Sequence, residues 1–221
     1  DHFWSGPRQE LVCRLVRHRL PVGSLVVDAA WHPGSPLATL SADYPTLAVT
    51  PLADRPQPGD VPAVRGDVLR LPLADASVEC VMLLDVLERL DDDGAALVEA
   101  ARTLCSGGLL VVAVPAGPRL WSAHDDRAGH RRRYTGPGLV DAVAGVGLVP
   151  EHLRYFQFLL LPLFYASRWR ARLRPGALSR EDNVAPAVNR ALAAVNRMEI
   201  RGATRLHCPT GSTVLALGRK P

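Results

Sequence analysis

Val78-Glu-Cys-Val-Met-Leu-Leu-Asp85 is the stretch that decides the fold. Six of its first seven residues are apolar, and the run stops at a carboxylate. A continuous apolar run of this length suits a strand buried on both faces, as in a parallel sheet. Leu109-Leu-Val-Val-Ala-Val114 repeats the pattern and ends at Pro115. Between the two, Asp91-Asp-Asp93 opens a helix expected to run through Leu104, with acids complementing its dipole and Gly107-Gly108 following its end.

Working outward, Ser24 to Asp28, Thr46 to Thr50 and Ala63 to Arg65 read as further short strands. Leu11, Val12, Leu15, Val16 and Leu20 recur at helical spacing, so residues 8–20 form an amphipathic helix with an arginine-rich outer face. The prolines at 51, 56, 58 and 62 forbid a regular helix in that segment. Gly138 to Val146 reads as a helix and Leu148 to Tyr155 as a strand. Helical segments around 158–173 and 186–201 precede a last strand at Ser212 to Leu217. Strands alternating with helices mean an α/β fold, a mostly parallel sheet with helices on both faces. Ligands bind such sheets beyond the carboxyl ends of the strands, where strand order reverses. Asp28, Thr50, Asp67, Asp85 and Pro115 all fall there.

The chain has 221 residues, 48% hydrophobic and 22% charged, which excludes a disordered tail, a collagen-like repeat and a coiled coil. One domain over 1–221 is expected, with a helical insertion around 156–205 before the last strand. No apolar run reaches the roughly 18 residues of a membrane span. No secretory signal is visible, and the start at Asp1 without Met is expected of a trimmed N-terminus. The net charge of +4 hides an asymmetry: residues 1–110 carry −6 and residues 111–221 carry +10. An anionic partner would therefore meet the second half, unless its arginines are simply solvated. Cys13, Cys80, Cys105 and Cys208 show no CxxC pair and no metal-ligand spacing. Neither a metal nor a disulfide is expected, and a cytoplasmic, reducing compartment follows.

The polar stretch after Pro115 gathers Trp121, His124, Asp125, His130, Arg132, Arg133 and Tyr134. Two histidines beside a carboxylate can supply a base near neutral pH, with His130 or His124 taking the proton and Asp125 orienting either ring. Arg131 to Arg133 suit a phosphate or carboxylate on an acceptor. Trp121 and Tyr134 could line the same acceptor; the simpler alternative is a solvated loop whose aromatics pack on the sheet. Phe158-Leu-Leu-Leu-Pro-Leu-Phe-Tyr165, followed by Arg168, Arg170, Arg172 and Arg174, suits an interfacial segment at a membrane surface or beside a lipid-linked acceptor. A core-packing helix with a basic outer end reads equally well. With 5% aromatic residues and no recognisable module, nucleic acid is not expected. No specific protein partner is implied.

Arg65-Gly-Asp-Val-Leu-Arg-Leu-Pro-Leu-Ala-Asp-Ala-Ser-Val78, Leu84-Asp-Val-Leu-Glu88 and Ser106-Gly-Gly-Leu-Leu-Val-Val-Ala-Val-Pro115 resemble the class I S-adenosylmethionine-dependent methyltransferases. His2-Phe-Trp4 and Leu120-Trp-Ser-Ala-His-Asp-Asp-Arg-Ala-Gly-His-Arg-Arg-Arg-Tyr-Thr135 resemble one subgroup almost letter for letter. The resemblance implies a Rossmann-like sheet of about seven strands with the last one antiparallel. It implies S-adenosylmethionine as cofactor, held by a Gly-rich turn after the first strand and by acids after the second and third. On this sequence those positions are Asp28, Ala30, His32, Gly34, Thr50, Asp67 and Asp85. The pattern departs from the family at Ala30 and His32, where it expects glycine, and at Thr50, where it expects an acid. Losing one hydrogen bond to a charged group costs roughly 1.5–3 kcal/mol, about one to two decades in affinity. Glu88-Arg89 stands where the family usually shows Glu-His. Two readings follow: a methyltransferase acting on O or N of a small or lipid-linked acceptor, or a relative that has lost methyl transfer and binds a ligand or partner in the same cleft. A peripheral membrane scaffold using the basic second half is a third.

Overall fold

The computed structural model describes residues 3–51, 61–173, 185–202 and 208–221. Most of the proline-rich 51–62 segment lies outside the described residues, as does Arg174.

Apolar runs become the strands of one seven-stranded sheet. In chain order these are β1 (Val26–Asp28), β2 (Thr46–Thr50), β3 (Ala63–Arg65), β4 (Val78–Leu84), β5 (Leu104–Pro115), β6 (Val149–Phe156) and β7 (Thr213–Arg219). Their spatial order is β3-β2-β1-β4-β5-β7-β6. The first five pair in parallel, while β7 runs antiparallel to both β5 and β6. This is the Rossmann-like class I methyltransferase sheet, with its last strand reversed. The chain builds outward from β1 to β3, then crosses to β4 on the other side of β1, so strand order reverses between β1 and β4.

The helices are α1 (Ser5–Arg19), α2 (Leu37–Leu40), α3 (Asp93–Thr103), α4 (Ala123–Arg127), α5 (Gly136–Gly145), α6 (Leu161–Leu173) and α7 (Pro186–Gly202). Alternation along the strands splits the core into two layers. Val27, Val49, Val81, Leu83, Leu110 and Val112 meet Leu97 of α3 and Leu139 and Val143 of α5. Val26, Ala48, Cys80, Met82 and Val111 meet Leu11, Val12 and Val16 of α1 and Ile200 of α7. Cys13 and Cys80 are buried in this second layer as small apolar residues.

Two details differ from the reading of the sequence. The helix after Asp91 ends at Thr103, and β5 begins at once at Leu104. Gly107 (φ +77°) and Gly108 are not a helix cap; they belong to a bulge where the β4–β5 register skips between Val78 and Cys80. Lys220 caps the helix instead, its Nζ donating to the carbonyls of Ala101 (2.8 Å) and Leu104 (2.7 Å). The second difference is Arg8. It is buried, not part of an outer arginine face, whereas Arg14 and Arg17 are exposed.

Candidate functional site

β1 ends in Asp28, and the turn after it is built around that carboxylate. Asp28 is fully buried and accepts from Ser35 Oγ at 2.5 Å and from Ala30 N at 3.2 Å. Burial pushes its carboxyl above the ordinary Asp value. Gly34 has φ +114°, a backbone conformation that a side chain would strain. Trp31 folds into the core beside α1 and leaves the turn's outer side open. His32 points to that outer side. Its Nδ1 lies 3.0 Å from Pro33 O, and its Nε2 faces Asp85 at 3.8 Å.

Asp85, just past β4, holds a left-handed backbone (φ +52°), an uncommon state for a residue with a side chain. The Arg8 guanidinium reaches it from α1 and donates to its Oδ2. Next, a single 3₁₀ turn (Leu87–Arg89) carries Glu88, whose side chain is completely buried. Neither Glu88 oxygen has a hydrogen-bond partner among the described residues. It is flanked by His130 Nε2 at 3.7 Å and Arg89 Nε at 4.0 Å. Burial, reinforced by the charge of Asp85, pushes the Glu88 carboxyl up to about 8.

His130 belongs to a second constellation, held by the stretch after β5. Asp125 is fully buried in α4. It accepts from Ser122 N at 2.8 Å, from Arg133 Nε at 2.7 Å and from His130 Nδ1 at 2.9 Å. Burial alone would raise its pKa. The hydrogen bonds from His130 and Arg133, with the charge of Arg133, outweigh burial and hold the carboxyl well below the usual range. A carboxylate on Nδ1 assigns the proton to that nitrogen and leaves Nε2 turned toward Glu88.

These pieces enclose a hollow of about 420 Å³ at the carboxyl ends of β1, β4 and β5. Trp4, Ser5 and Arg8 form its α1 wall; Ala30, His32 and Pro33 form its β1 wall. Asp85, Glu88, His124 and His130 line the side toward β4 and β5. The volume lies within the usual range of small-ligand sites.

Of the residues singled out from the sequence, the structure brings Ala30, His32, Asp85, His124 and His130 onto this hollow, with Asp125 behind His130. Asp28 and Gly34 shape the turn without lining it. Thr50 is half-buried and also off the lining, although the next residue, Pro51, is on it. Asp67 is exposed and accepts from Leu69 N at 2.9 Å within its own turn.

The structure places the remaining four away from the hollow. Trp121 donates to Asp126 Oδ1 at 3.0 Å. Arg132 meets Asp93 at 2.6 Å and the carbonyls of Leu90 and Asp91. Arg133 is buried on Asp125 and Ala116 O, and Tyr134 is buried with its hydroxyl donating to Asp93. Burial and Asp93 push the Tyr134 phenol strongly upward. With Arg131 on Asp91 at 2.9 Å, each of the three consecutive arginines meets an aspartate of the protein itself.

Arg8, Glu88, Trp4 and Ser5 line the hollow without having been singled out as candidate site residues. Arg8 had a signal: it sits three and four residues before Leu11 and Val12, on the apolar stripe of α1.

Comparison with known proteins agrees with this architecture. The methyltransferase domain family matches residues 34–112. A 37.1 kDa uncharacterized protein in transposon Tn4556 of Streptomyces fradiae is 34% identical over 105 residues, which span 42% of this chain and 30% of that protein. Geranyl diphosphate methyltransferase in complex with S-adenosylmethionine superposes with a TM-score of 0.64 at 15% identity, over 97% of this chain and 84% of the other. The [4+2]-cyclase SpnF superposes with a TM-score of 0.59 at 19% identity, over 95% and 80%. Residues 34–112 thus match the methyltransferase domain family, and the chain folds as the class I S-adenosylmethionine-dependent methyltransferases do.

Proposed function

We propose that this chain is an S-adenosylmethionine-dependent methyltransferase that methylates an oxygen or nitrogen of a small or lipid-linked acceptor. The observation that supports it is the open hollow at the reversal of strand order, clear of Trp31 and lined by both acids and bases. The donor set suits an amino-acid-bearing sulfonium: Asp85, held by Arg8, offers charge to cationic groups, and His32 offers a ring nitrogen to a carboxylate. Ala30, His32, Asp85 and Arg8 would hold that end. The cofactor, when bound, supplies a methyl group activated on sulfur. The chain contributes alignment and a base. His130 Nε2 takes the proton from the acceptor, Asp125 holds the ring through Nδ1, and His124 and Trp4 close the chamber around it.

A lipid-linked acceptor draws support from Phe158, Leu159, Leu163 and Tyr165, whose side chains are exposed at the start of α6. In sequence they precede Arg168, Arg170 and Arg172. Among the described residues no helix is long and apolar enough to cross a membrane, so contact through 158–174 would be peripheral. Four free thiols suit a cytoplasmic setting for this chemistry.

Titration with S-adenosylmethionine tests the reading: saturable heat supports it, and none at millimolar ligand rejects it. A second reading, ligand binding in the same cleft without methyl transfer, is favoured by the Arg8–Asp85 pair and His32 standing at the cofactor end. Saturable binding of S-adenosylmethionine with no methyl transfer to any acceptor would select it.

A further inference from the structure

Glu88 is a carboxyl with no exposed side-chain surface, on the wall of an open cavity, and unserved by any hydrogen bond among the described residues. Buried polar groups are nearly always satisfied, and a carboxylate left without donors is among the costliest exceptions. The charged groups around it do not repair this. Arg8 is committed to Asp85, Arg89 stands at 4.0 Å, and His130 presents Nε2 at 3.7 Å while its Nδ1 serves Asp125. Asp85 on the same loop and the Tyr134 phenol behind add no positive charge. The main chain is held in place by Arg131 N, which donates to Glu88 O at 2.6 Å. A buried, unserved acceptor on a residue that lines a cavity suits a cationic hydrogen-bond donor.

We propose that Glu88 recognises a protonated amine on the acceptor molecule, which makes the substrate class amines and the methylated atom a nitrogen. This deepens the methyltransferase reading and rests on it for the transfer step. Glu88 lies 3.7 Å from His130, whose ring meets that of His124 with Trp4 beyond it, and this histidine side is assigned to the acceptor. The Trp4 ring offers an aromatic surface to the same cation. At neutral pH the free protein keeps Glu88 protonated, because burial and Asp85 raise it to about 8. An arriving ammonium stabilises the carboxylate, and the carboxyl proton leaves to solvent. In the transfer step the ammonium gives a proton to His130 Nε2, while the Glu88 carboxylate stays paired with the nitrogen. The freed nitrogen lone pair then forms the bond to the methyl carbon as the sulfur–carbon bond breaks, its electrons staying on sulfur.

The test uses benzylammonium as probe and benzyl alcohol as its uncharged match, titrated calorimetrically into the whole protein at pH 7. Wild type should prefer the amine at least tenfold, and Glu88→Gln should abolish that preference. Equal affinities in wild type, or a preference that survives in Glu88→Gln, overturns the proposal. Repeating the wild-type titration in buffers of different ionisation enthalpy needs no variant. Release of about one proton with the amine and none with the alcohol supports the proposal, and no release overturns it. S-adenosylhomocysteine titration separates the sources of the cation. A tenfold loss of its binding in Glu88→Gln, with the amine preference intact, would move Glu88 to the cofactor and overturn the acceptor assignment. Amine preference without any S-adenosylmethionine binding would sustain Glu88 as an amine site and reject the methyltransferase reading.

Discussion

Replacing Asp125 with asparagine keeps the size of the side chain and removes its charge. The Arg133 guanidinium, its side chain 3% exposed, then stays buried with the Ala116 carbonyl and no counter-charge, and His130 loses the anion on its Nδ1. Breaking a buried pair from one side typically costs about 3–5 kcal/mol, because the remaining charge is stranded. For a chain of this size that corresponds to a fall in Tm of about 6–20 °C. The pH dependence has a definite sign. Asp125 has a depressed folded pKa, so its contribution is full above the ordinary Asp value of about 3.9 and is lost as pH falls below it. Urea unfolding followed by circular dichroism at pH 7, then stepwise into acid, would read both effects. A penalty below about 1 kcal/mol at pH 7 with an unchanged denaturant slope, or one that persists undiminished into strong acid, would refute this account of the buried pair.

Three further outcomes are expected. Glu88→Gln should stabilise the ligand-free protein at pH 9 and leave it unchanged near pH 4. The raised folded pKa costs stability as pH climbs from the ordinary Glu value of about 4.3 through about 8, readable by thermal melts across that range. Gly211→Ala should destabilise by roughly 1–3 kcal/mol, since a Cβ there would collide with the backbone of Phe156, with no flexible side chain to yield; chemical unfolding checks it. In the native protein, maleimide should label Cys105 and Cys208 well before Cys13 and Cys80, whose thiols are buried and pushed upward, as peptide mass spectrometry over time would show.

The strands were legible because parallel strands buried on both faces must be almost wholly apolar, as Leu109–Val114 is and as Val78–Leu84 is apart from Glu79. The bulge at Gly107-Gly108 was not. A glycine pair after a helix signals a cap equally well, and only the return of Lys220 beside β5 decides between them. The location of the hollow, at the ends of β1 and β4, followed from topology. Its membership followed less well, because charge in a sequence carries no address. Arg131 to Arg133 resemble an anion site until Asp91, Asp93 and Asp125 are found opposite them, two of these some 40 residues upstream. Asp91-Asp-Asp93 was legible as a helix start, and Asp92 does accept from Ala95 N. That Asp93 also receives Arg132 and the Tyr134 hydroxyl could not be read locally.

That ladder of arginines and aspartates braces the segment following β5 against the start of α3, so the histidine face of the chamber is a buttress with little room for variation. The opposite face is simpler: Trp4, Ser5 and Arg8 stand at the first turns of one helix, and the first two can be exchanged without unlocking the ladder on the far side. Retargeting this scaffold to a bulkier or differently charged molecule should therefore begin with a small library at positions 4 and 5. Arg8 would stay, to keep Asp85 in its contorted backbone state.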